Sequence, residues 1–599
     1  MNGYNNKYLL INLNNYSHEI HLLPENILTD YIGGTGLSSY LLYKYSSFNS
    51  DSFSPDNPLI FASSLLTGTK LTTTSKFAIT TKSPLTNFIG DSMSSSHFAD
   101  KLKKTGFDAL VIIGKSKSNK IIKIQNSSIE FIDASNIWGK TTSETEKILN
   151  KNLGNDFSFA CIGPAGENLV RFAGIKNDGG RMAARTGVGA VMGSKLIKAI
   201  AIHGTQKINI ANQSELNVIR KELSIKSLGD STEKYRTTGT TINMSILNRL
   251  EMLPTNNFKQ SVFKEAKNIE GENLLKNHYS KKAHCANCTI GCEKIFITND
   301  DDNPTESRLE FQTTASLGSN IGVSNPNWII RAANLCDELG MDTISTGVTI
   351  GWAIEASEKG HLNSSIKINS ENSLLDLIKK IAYRDSIGDL LADGTKLASE
   401  SIGKDSANYA MHVKGLEIPS YDPRNLPALS LALSVSTKGA CHNRASAYDI
   451  DFNNKEIFNN PTIIASKTKA SEDYSAILDS MIWCKFLRKS FNNFYEETSE
   501  IYSLITGVKY DSEKLKKAGE RINNIKKLFN IQNGWIRSDD NLPERLLNSK
   551  NQIMSHSYLD SMIDSYYHFR GWDKNGNIPI SKLSELNLNT KEYASKNTL

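Results

Sequence analysis

Up to residue 208, apolar positions fall in short β-branched runs bounded by turn residues: "KYLLINL", "HEIHLL", "PLIFAS", "KFAITTKS", "ALVIIGKS", "KIIKIQ" and "KAIAIHG". Runs of this length and composition predict strands. Gly and Ser are dense between them, and few helical patterns interrupt. From residue 209 the period lengthens. "SELNVIRKELSIKSLG" reads as a helix. "SNPNWIIRAANLCDELG" has Asn325 as its cap, Pro326 in the first turn and Gly340 as its stop. "STGVTIGWAIEASEKG" repeats the scheme, beginning at Ser345 or Thr346 and ending at Gly360. "SLLDLIKKIAYRDSIGDLLADGTKLASESIG" continues in helices. The polar stretch "GLEIPSYDPRNLPALS" at 415–430 marks a further boundary, and the chain beyond it is helical again. No repeat and no long low-complexity linker is visible.

These patterns predict an α+β protein: a β-rich domain over 1–208, then mainly helical domains over 209–416 and 417–599. The length, 599 residues, is too great for one core. With 39% hydrophobic and 22% charged residues, the composition is that of a soluble globular protein. The net charge of +6 is small and no basic tract is present, which argues against nucleic-acid binding and mildly favours acidic partners. The N-terminus shows no secretory pattern, and no run approaches the roughly 18 apolar residues of a membrane span. Seven cysteines, three of them clustered, point to a metal site in a reducing cytoplasm rather than a disulfide framework.

The cluster is "HCANCTIGCEK", with Cys285, Cys288 and Cys292 in the spacing C-x2-C-x3-C. A compact loop of this kind can wrap three corners of an iron–sulfur cube, with the fourth ligand supplied from elsewhere in the fold. Structural zinc more often uses two C-x2-C knuckles, or one with paired histidines, but remains an alternative. On spacing alone the fourth ligand is Cys161, Cys336, Cys441 or Cys484, and His284 could also ligate.

Three glycine-rich segments could approach an anion closely: "YIGGTGLSSY" (31–40), "NFIGDSMSSSHF" (87–98) and "NDGGRMAARTGVGAVMGSK" (177–195). The last carries Gly179, Gly180, Gly187 and Gly189 with Arg181, Arg185 and Lys195, a phosphate-binding composition. Plain tight turns explain any one of them equally well. The last has neither dinucleotide nor Walker A spacing.

Taken in order, "GGTGLSSYLLYK", "LTGTKLTTTSKFAITTKSPLT", "CIGPAGENLVRFAGIKNDGGRMAARTGVGAVMGSKLIKAIA", "CANCTIGC", "LCDELGMDTISTGVTIGWAIEASEKG", "IPSYDPR", "KGACHNRA" and "HFRGWDKNGNIP" resemble the aldehyde ferredoxin oxidoreductase family of tungsten or molybdenum pterin enzymes. The resemblance spans nearly the whole chain. It implies that Cys484, ending "DSMIWC", is the fourth ligand beside Cys285, Cys288 and Cys292 of a 4Fe–4S cluster. It implies that "DELGMD" (Asp337, Gly340, Asp342) and Asp479 each embrace one of two pterins. The pterin phosphates would lie on the glycine loops, bridged by Mg²⁺ near the Ala183 backbone. Lys76 stands where the family commonly has an arginine linking cofactor to cluster; lysine keeps the charge and loses the fork. His442 matches the metal-proximal histidine and Glu310 the first of two acids. The implied reaction oxidises a small-molecule aldehyde to a carboxylate, with electrons leaving to ferredoxin or a dedicated electron-transfer subunit.

Four departures bear on this. Gln312 replaces the second acid, so either the mechanism or the substrate differs. Ile482 and Trp483 stand where Gly-Leu is usual. Met93 replaces an asparagine whose contact runs through the backbone. Arg331 and Asn334 occupy positions where some members hold an interface iron, so that iron is expected to be absent and a homodimer is left open. Cys161 and Cys336 read as core, and Cys441 as a packed thiol beside His442. A non-aldehyde substrate, or a zinc-stabilised scaffold with no activity, are the alternatives.

Overall fold

The computed structural model describes residues 1–300, 303–548 and 553–588; the end of the third predicted region lies outside them. Strands β1 (Lys7–Asn12), β2 (Ser17–Leu22), β3 (Leu59–Ala62), β4 (Lys76–Lys82), β5 (Ile89–Ser95) and β6 (Ala109–Ile113) form one sheet in the order β2-β1-β6-β3-β4-β5. Strands β7 (Lys120–Gln125), β8 (Ser128–Asp133), β9 (Ser158–Cys161), β10 (Ile175–Asn177), β11 (Arg181–Ala183) and β12 (Ile197–His203) form a second, in the order β11-β10-β9-β12-β7-β8.

Counted from its own first strand, the second sheet has the order of the first. The parallel pairing falls on the first and sixth strands in both, β1 with β6 and β7 with β12, and every other pair is antiparallel. The region is therefore an internal structural repeat. The sequence hides it because a sheet preserves alternation and burial, not residue identity. Leu9, Phe61, Phe77 and Leu110 of the first sheet and Ile122, Ala160, Ile200 and Ile202 of the second are fully buried in one shared core.

All seven predicted strand runs form strands, but the region holds more helix than expected. Gly34–Tyr45 is a helix opening inside the first glycine segment, and Thr142–Leu153 another with a full capping box. The second glycine segment is mostly strand β5 rather than loop.

The rest of the described chain is mainly helical, with a three-stranded sheet (Tyr279–Ala283, Glu293–Ile297, Glu306–Arg308) around the cysteine loop and a two-stranded one (His412–Val413, Leu416–Glu417), giving the α+β class. Helix Pro326–Leu339 is capped by the Asn325 side chain and stopped by Gly340 at φ 77°. The next helix, Thr343–Glu358, starts earlier than predicted. Its cap is Asp342, whose carboxylate accepts the N–H groups of Ile344 and Ser345, a stronger start signal than Ser345 or Thr346. The polar stretch 415–430 is not a surface connection: Leu416, Ile418, Ser420, Tyr421 and Asp422 are all buried. One core spans the helices from Leu253 to Tyr567. Another joins Leu28, Leu41 and Ile60 of the first region to Ile477, Tyr502 and Ile522 of the last. The C-terminal helices thereby close onto the first sheet. No helix among the described residues is long and apolar enough to cross a membrane.

Candidate active site

A cavity of about 420 Å³ lies where β5 and β11 meet the helical regions. These are the corresponding edge strands of the two repeats. β5 lines it with Ser92, Met93, Ser94 and Ser95; the β11 segment with Gly180, Arg181, Met182, Ala184 and Arg185. Gly180 sits at φ 140°, and a Cβ there would collide with the Arg308 guanidinium, another wall residue.

Three helix ends bring carboxylates to the wall. Asp337 lies in the last turn of Pro326–Leu339, Asp342 caps Thr343–Glu358, and Asp479 lies in the last turn of Pro461–Met481. Burial pushes the Asp337 carboxyl up to about 6. Asp342 also pairs with Arg185 at 3.7 Å. Asp479 pairs with Arg444 at 2.8 Å, and Arg444 with Lys438 and Lys526 encloses the buried Asp91. Burial opposes the Asp91 charge, but these three cations hold its carboxyl well below the usual range.

Cys285, Cys292 and Cys484 line the same cavity. Cys288 stands behind them, its N–H donating to the Cys285 carbonyl at 3.2 Å. Burial, then the neighbouring Cys484, pushes the Cys288 thiol up to about 11 and the Cys292 thiol well above its usual value. Lys76 is set among them. Burial works against its charge, yet Cys484, Asp479, Cys285 and Cys292 together hold its pKa above the ordinary lysine value. The chain thus brings Cys484 to the same cavity wall as Cys285 and Cys292, almost two hundred residues away in sequence; Cys441 also lines the cavity. Cys161 and Cys336 are fully buried elsewhere. His284 bonds the Cys288 carbonyl through Nδ1 at 3.2 Å and is exposed. Among the described residues, no three His, Cys, Asp or Glu side chains are close enough to hold a single metal ion, so the thiols form a wall rather than a closed one-metal cage.

His442, Glu310 and Gln312 complete the cavity. Burial, then the Lys485 ammonium, holds the His442 imidazole well below its usual pKa, so it is neutral at pH 7. Its ring packs 5.3 Å from Tyr421, which stacks on Tyr448 at 5.2 Å. Glu310 lines the cavity, its side chain accessible there yet surrounded by protein. Burial raises its pKa against the pull of Arg181. The Gln312 Oε1 accepts the Ser420 N–H at 2.8 Å, which leaves Nε2 buried with no partner in the protein.

Several predicted residues do not face the cavity. The Gly179 N–H donates to Glu146 at 3.0 Å. Gly187 and Gly189 serve close packing: a Cβ would stand 2.1 Å from the Arg171 carbonyl and 2.2 Å from that of Gly174. Ala183 is buried in β11, and Gly340 makes the helix stop. The first glycine segment is also a packing device. A Cβ on Gly34 would lie 2.4 Å from the Asp479 carbonyl, and the Gly36 N–H donates to the Ser480 hydroxyl at 3.0 Å. Sequence reasoning missed Arg308, Lys438, Arg444 and Lys485. Arg444 follows His442 by two positions and was within reach; the others carry no local signal.

The donor set suits a polyanionic group. Lys76, Arg181, Arg185, Arg308, Lys438, Arg444 and Lys485 line the cavity against four carboxylates. Arg185 gives Nη2 to the Glu417 and Ala440 carbonyls at 2.6 and 2.8 Å, leaving Nη1 buried and unpartnered. Ser92, Ser94 and Ser95 of β5 add only small side chains to the lining.

Profiles of aldehyde ferredoxin oxidoreductase match the chain twice: the N-terminal domain over residues 8–204, and domains 2 and 3 over 218–588. The tungsten-containing aldehyde ferredoxin oxidoreductase of Pyrococcus furiosus is 35% identical over 97% of this chain and 98% of its own. That of Thermococcus kodakarensis is 34% identical, over 97% and 98%. A WOR-like subunit of an aliphatic sulfonate oxidoreductase from P. furiosus is 26% identical over 98% and 97%. Among solved structures, the BamBC active-site complex of benzoyl coenzyme A reductase, bound to 1,5-dienoyl-CoA, shares the fold. Its TM-score is 0.87 at 24% identity, over 100% of this chain and 99% of that one. The two profile matches leave little of the chain uncovered, and the chain belongs to the aldehyde ferredoxin oxidoreductase family.

Proposed function

We propose that the chain is a cytoplasmic tungsten- or molybdenum-bispterin oxidoreductase. It oxidises an aldehyde, RCHO + H₂O → RCOOH + 2 e⁻ + 2 H⁺, and passes the electrons through a 4Fe–4S cluster to ferredoxin or a dedicated electron-transfer subunit. The observation that carries this reading is the convergence of Cys285, Cys292 and Cys484, with Cys441, three helix-end carboxylates and His442, on one cationic cavity.

Cys285, Cys288, Cys292 and Cys484 would hold the cluster. Asp337, Asp342 and Asp479 would hold the pterins, and Arg181 and Arg185 their phosphates, with Mg²⁺ near the Ala183 backbone. When bound, the pterin metal supplies a two-electron acceptor and the cluster a one-electron relay. Lys76 lines the cavity with the thiols and Asp479, and its ammonium could donate to a group bound there. The neutral His442 can take a proton on a ring nitrogen, and Gln312 can orient a substrate oxygen through Nε2.

The test is anaerobic reduction of benzyl viologen by acetaldehyde and benzaldehyde with metal-replete enzyme. Turnover with either is expected. Silence towards aldehydes, with tungsten or molybdenum bound, would overturn it. A second reading, a non-aldehyde substrate, is favoured by Gln312 and accords with the sulfonate oxidoreductase among the relatives.

A further inference from the structure

Asp91 precedes the β5 residues that line the cavity but is not part of the lining itself. Its buried carboxylate takes Lys526 Nζ at 2.7 Å, Lys438 Nζ at 3.2 Å and Arg444 Nε at 2.9 Å. The Asp91 carbonyl accepts Arg444 Nη2 as well, at 3.1 Å. One residue thus holds two nitrogens of the guanidinium, through its side chain and its main chain. A guanidinium is a rigid planar fork, so those bonds set the direction of the remaining nitrogen. That nitrogen, Nη1, donates to Asp479 Oδ2 at 2.8 Å. Among the described residues the Asp479 carboxylate has no other hydrogen-bond partner. Burial of Asp91 does not require the arginine, since Lys438 and Lys526, the latter from helix Ser512–Gln532, already pair with it. A lysine is a point charge, and what Arg444 adds is direction.

We infer that Asp91 is a positioning residue for the reaction: it aims Arg444, and through Arg444 it holds the Asp479 carboxylate in place on the cavity wall. This rests on the bispterin reading of the same cavity. Without Asp91 the Arg444 side chain is free to swing and its charge is no longer offset from below. A less compensated cation at the wall favours the more negative, reduced state of a centre bound there, and so raises its potential.

The experiment is a redox titration of tungsten or molybdenum in the anaerobic holoenzyme, followed by electron paramagnetic resonance. Every variant carries Lys526→Met, so that a buried cation leaves with the buried anion. In that background Asp91→Asn is expected to keep the metal and to raise its midpoint potential by at least tenfold in the one-electron equilibrium, about 59 mV. With Arg444→Gln also present, the same replacement should shift the potential less than half as far. A shift of half or more there would mean that Asp91 acts by its own field. A shift short of tenfold with Arg444 in place, or loss of the metal on replacing Asp91, would reduce Asp91 to an ion pair of the fold. Each of these results overturns the inference. The metal content of the native enzyme separates the two readings. Absence of both tungsten and molybdenum defeats the oxidoreductase reading, whereas bound metal without the Arg444-dependent shift defeats the role of Asp91 alone.

Discussion

Gln312 shows how one side chain constrains chemistry. Its amide oxygen is committed to Ser420, and its nitrogen can donate but cannot take a proton. If neutral aldehydes need a carboxylate base here, Gln312→Glu should raise kcat for acetaldehyde at least tenfold, within the roughly 10²–10⁴ range of general-base contributions. Anaerobic viologen kinetics would show it, and an unchanged kcat would mean that His442 alone suffices. Ile482 is the other telling residue. It is buried at φ 63° in the left-handed turn that ends helix Pro461–Met481, where the family resemblance leads one to expect glycine. A β-branched residue there costs on the order of 1–3 kcal/mol. Its Cγ2 lies 3.0 Å from where a Gly34 Cβ would stand, so the turn is pressed between the first glycine segment and the thiol wall. Both departures were visible in the sequence. Their consequences were not, because they depend on which backbone groups the fold brings alongside.

At the scale of elements, the sequence was most legible where one local rule sufficed. The seven β-branched runs, the Asn325 cap and the Gly340 stop follow from propensity and capping alone. Strand β5 did not, because "IGDSMSS" owes its strand to pairing with β4 along its whole length and not to its own composition. The glycines of three segments looked alike, yet only Gly180 faces the cavity; the others serve close packing or backbone bonds. One element carries a pH prediction. Asp451 accepts the N–H groups of Ala428 and Leu429, both at 2.9 Å, at the start of helix Pro427–Val435. Burial outweighs those bonds and pushes its carboxyl up to about 7. A raised carboxyl pKa means that the folded state holds the proton more tightly than the unfolded chain. Its stabilisation is full below about pH 4 and is lost as pH rises through about 7. The stability of the native chain relative to Asp451→Asn, followed by thermal unfolding, should therefore fall from pH 4 to pH 7. A difference that is flat or rises over that window would refute the assignment.

At the scale of the whole molecule, two sheets of one topology share a core and offer equivalent edges, β5 and β11, to a single cavity. Helix ends from the later regions close over it with carboxylates and the fourth cysteine. The sequence revealed the pieces through family resemblance, but neither the repeat nor the cationic surplus, since both arise only when distant segments meet. Arg331, where the family resemblance implied an interface ligand in some members, pairs with Asp300 at 2.6 Å and Glu371 at 2.8 Å. The central claim is that this cavity holds an iron–sulfur cluster beside a pterin-bound metal. Elemental mass spectrometry of anaerobically purified protein tests it directly. The account predicts about four iron atoms and about one tungsten or molybdenum per chain, the content of one four-thiolate cluster and one metal centre. Zinc in place of iron, with neither tungsten nor molybdenum, would contradict it.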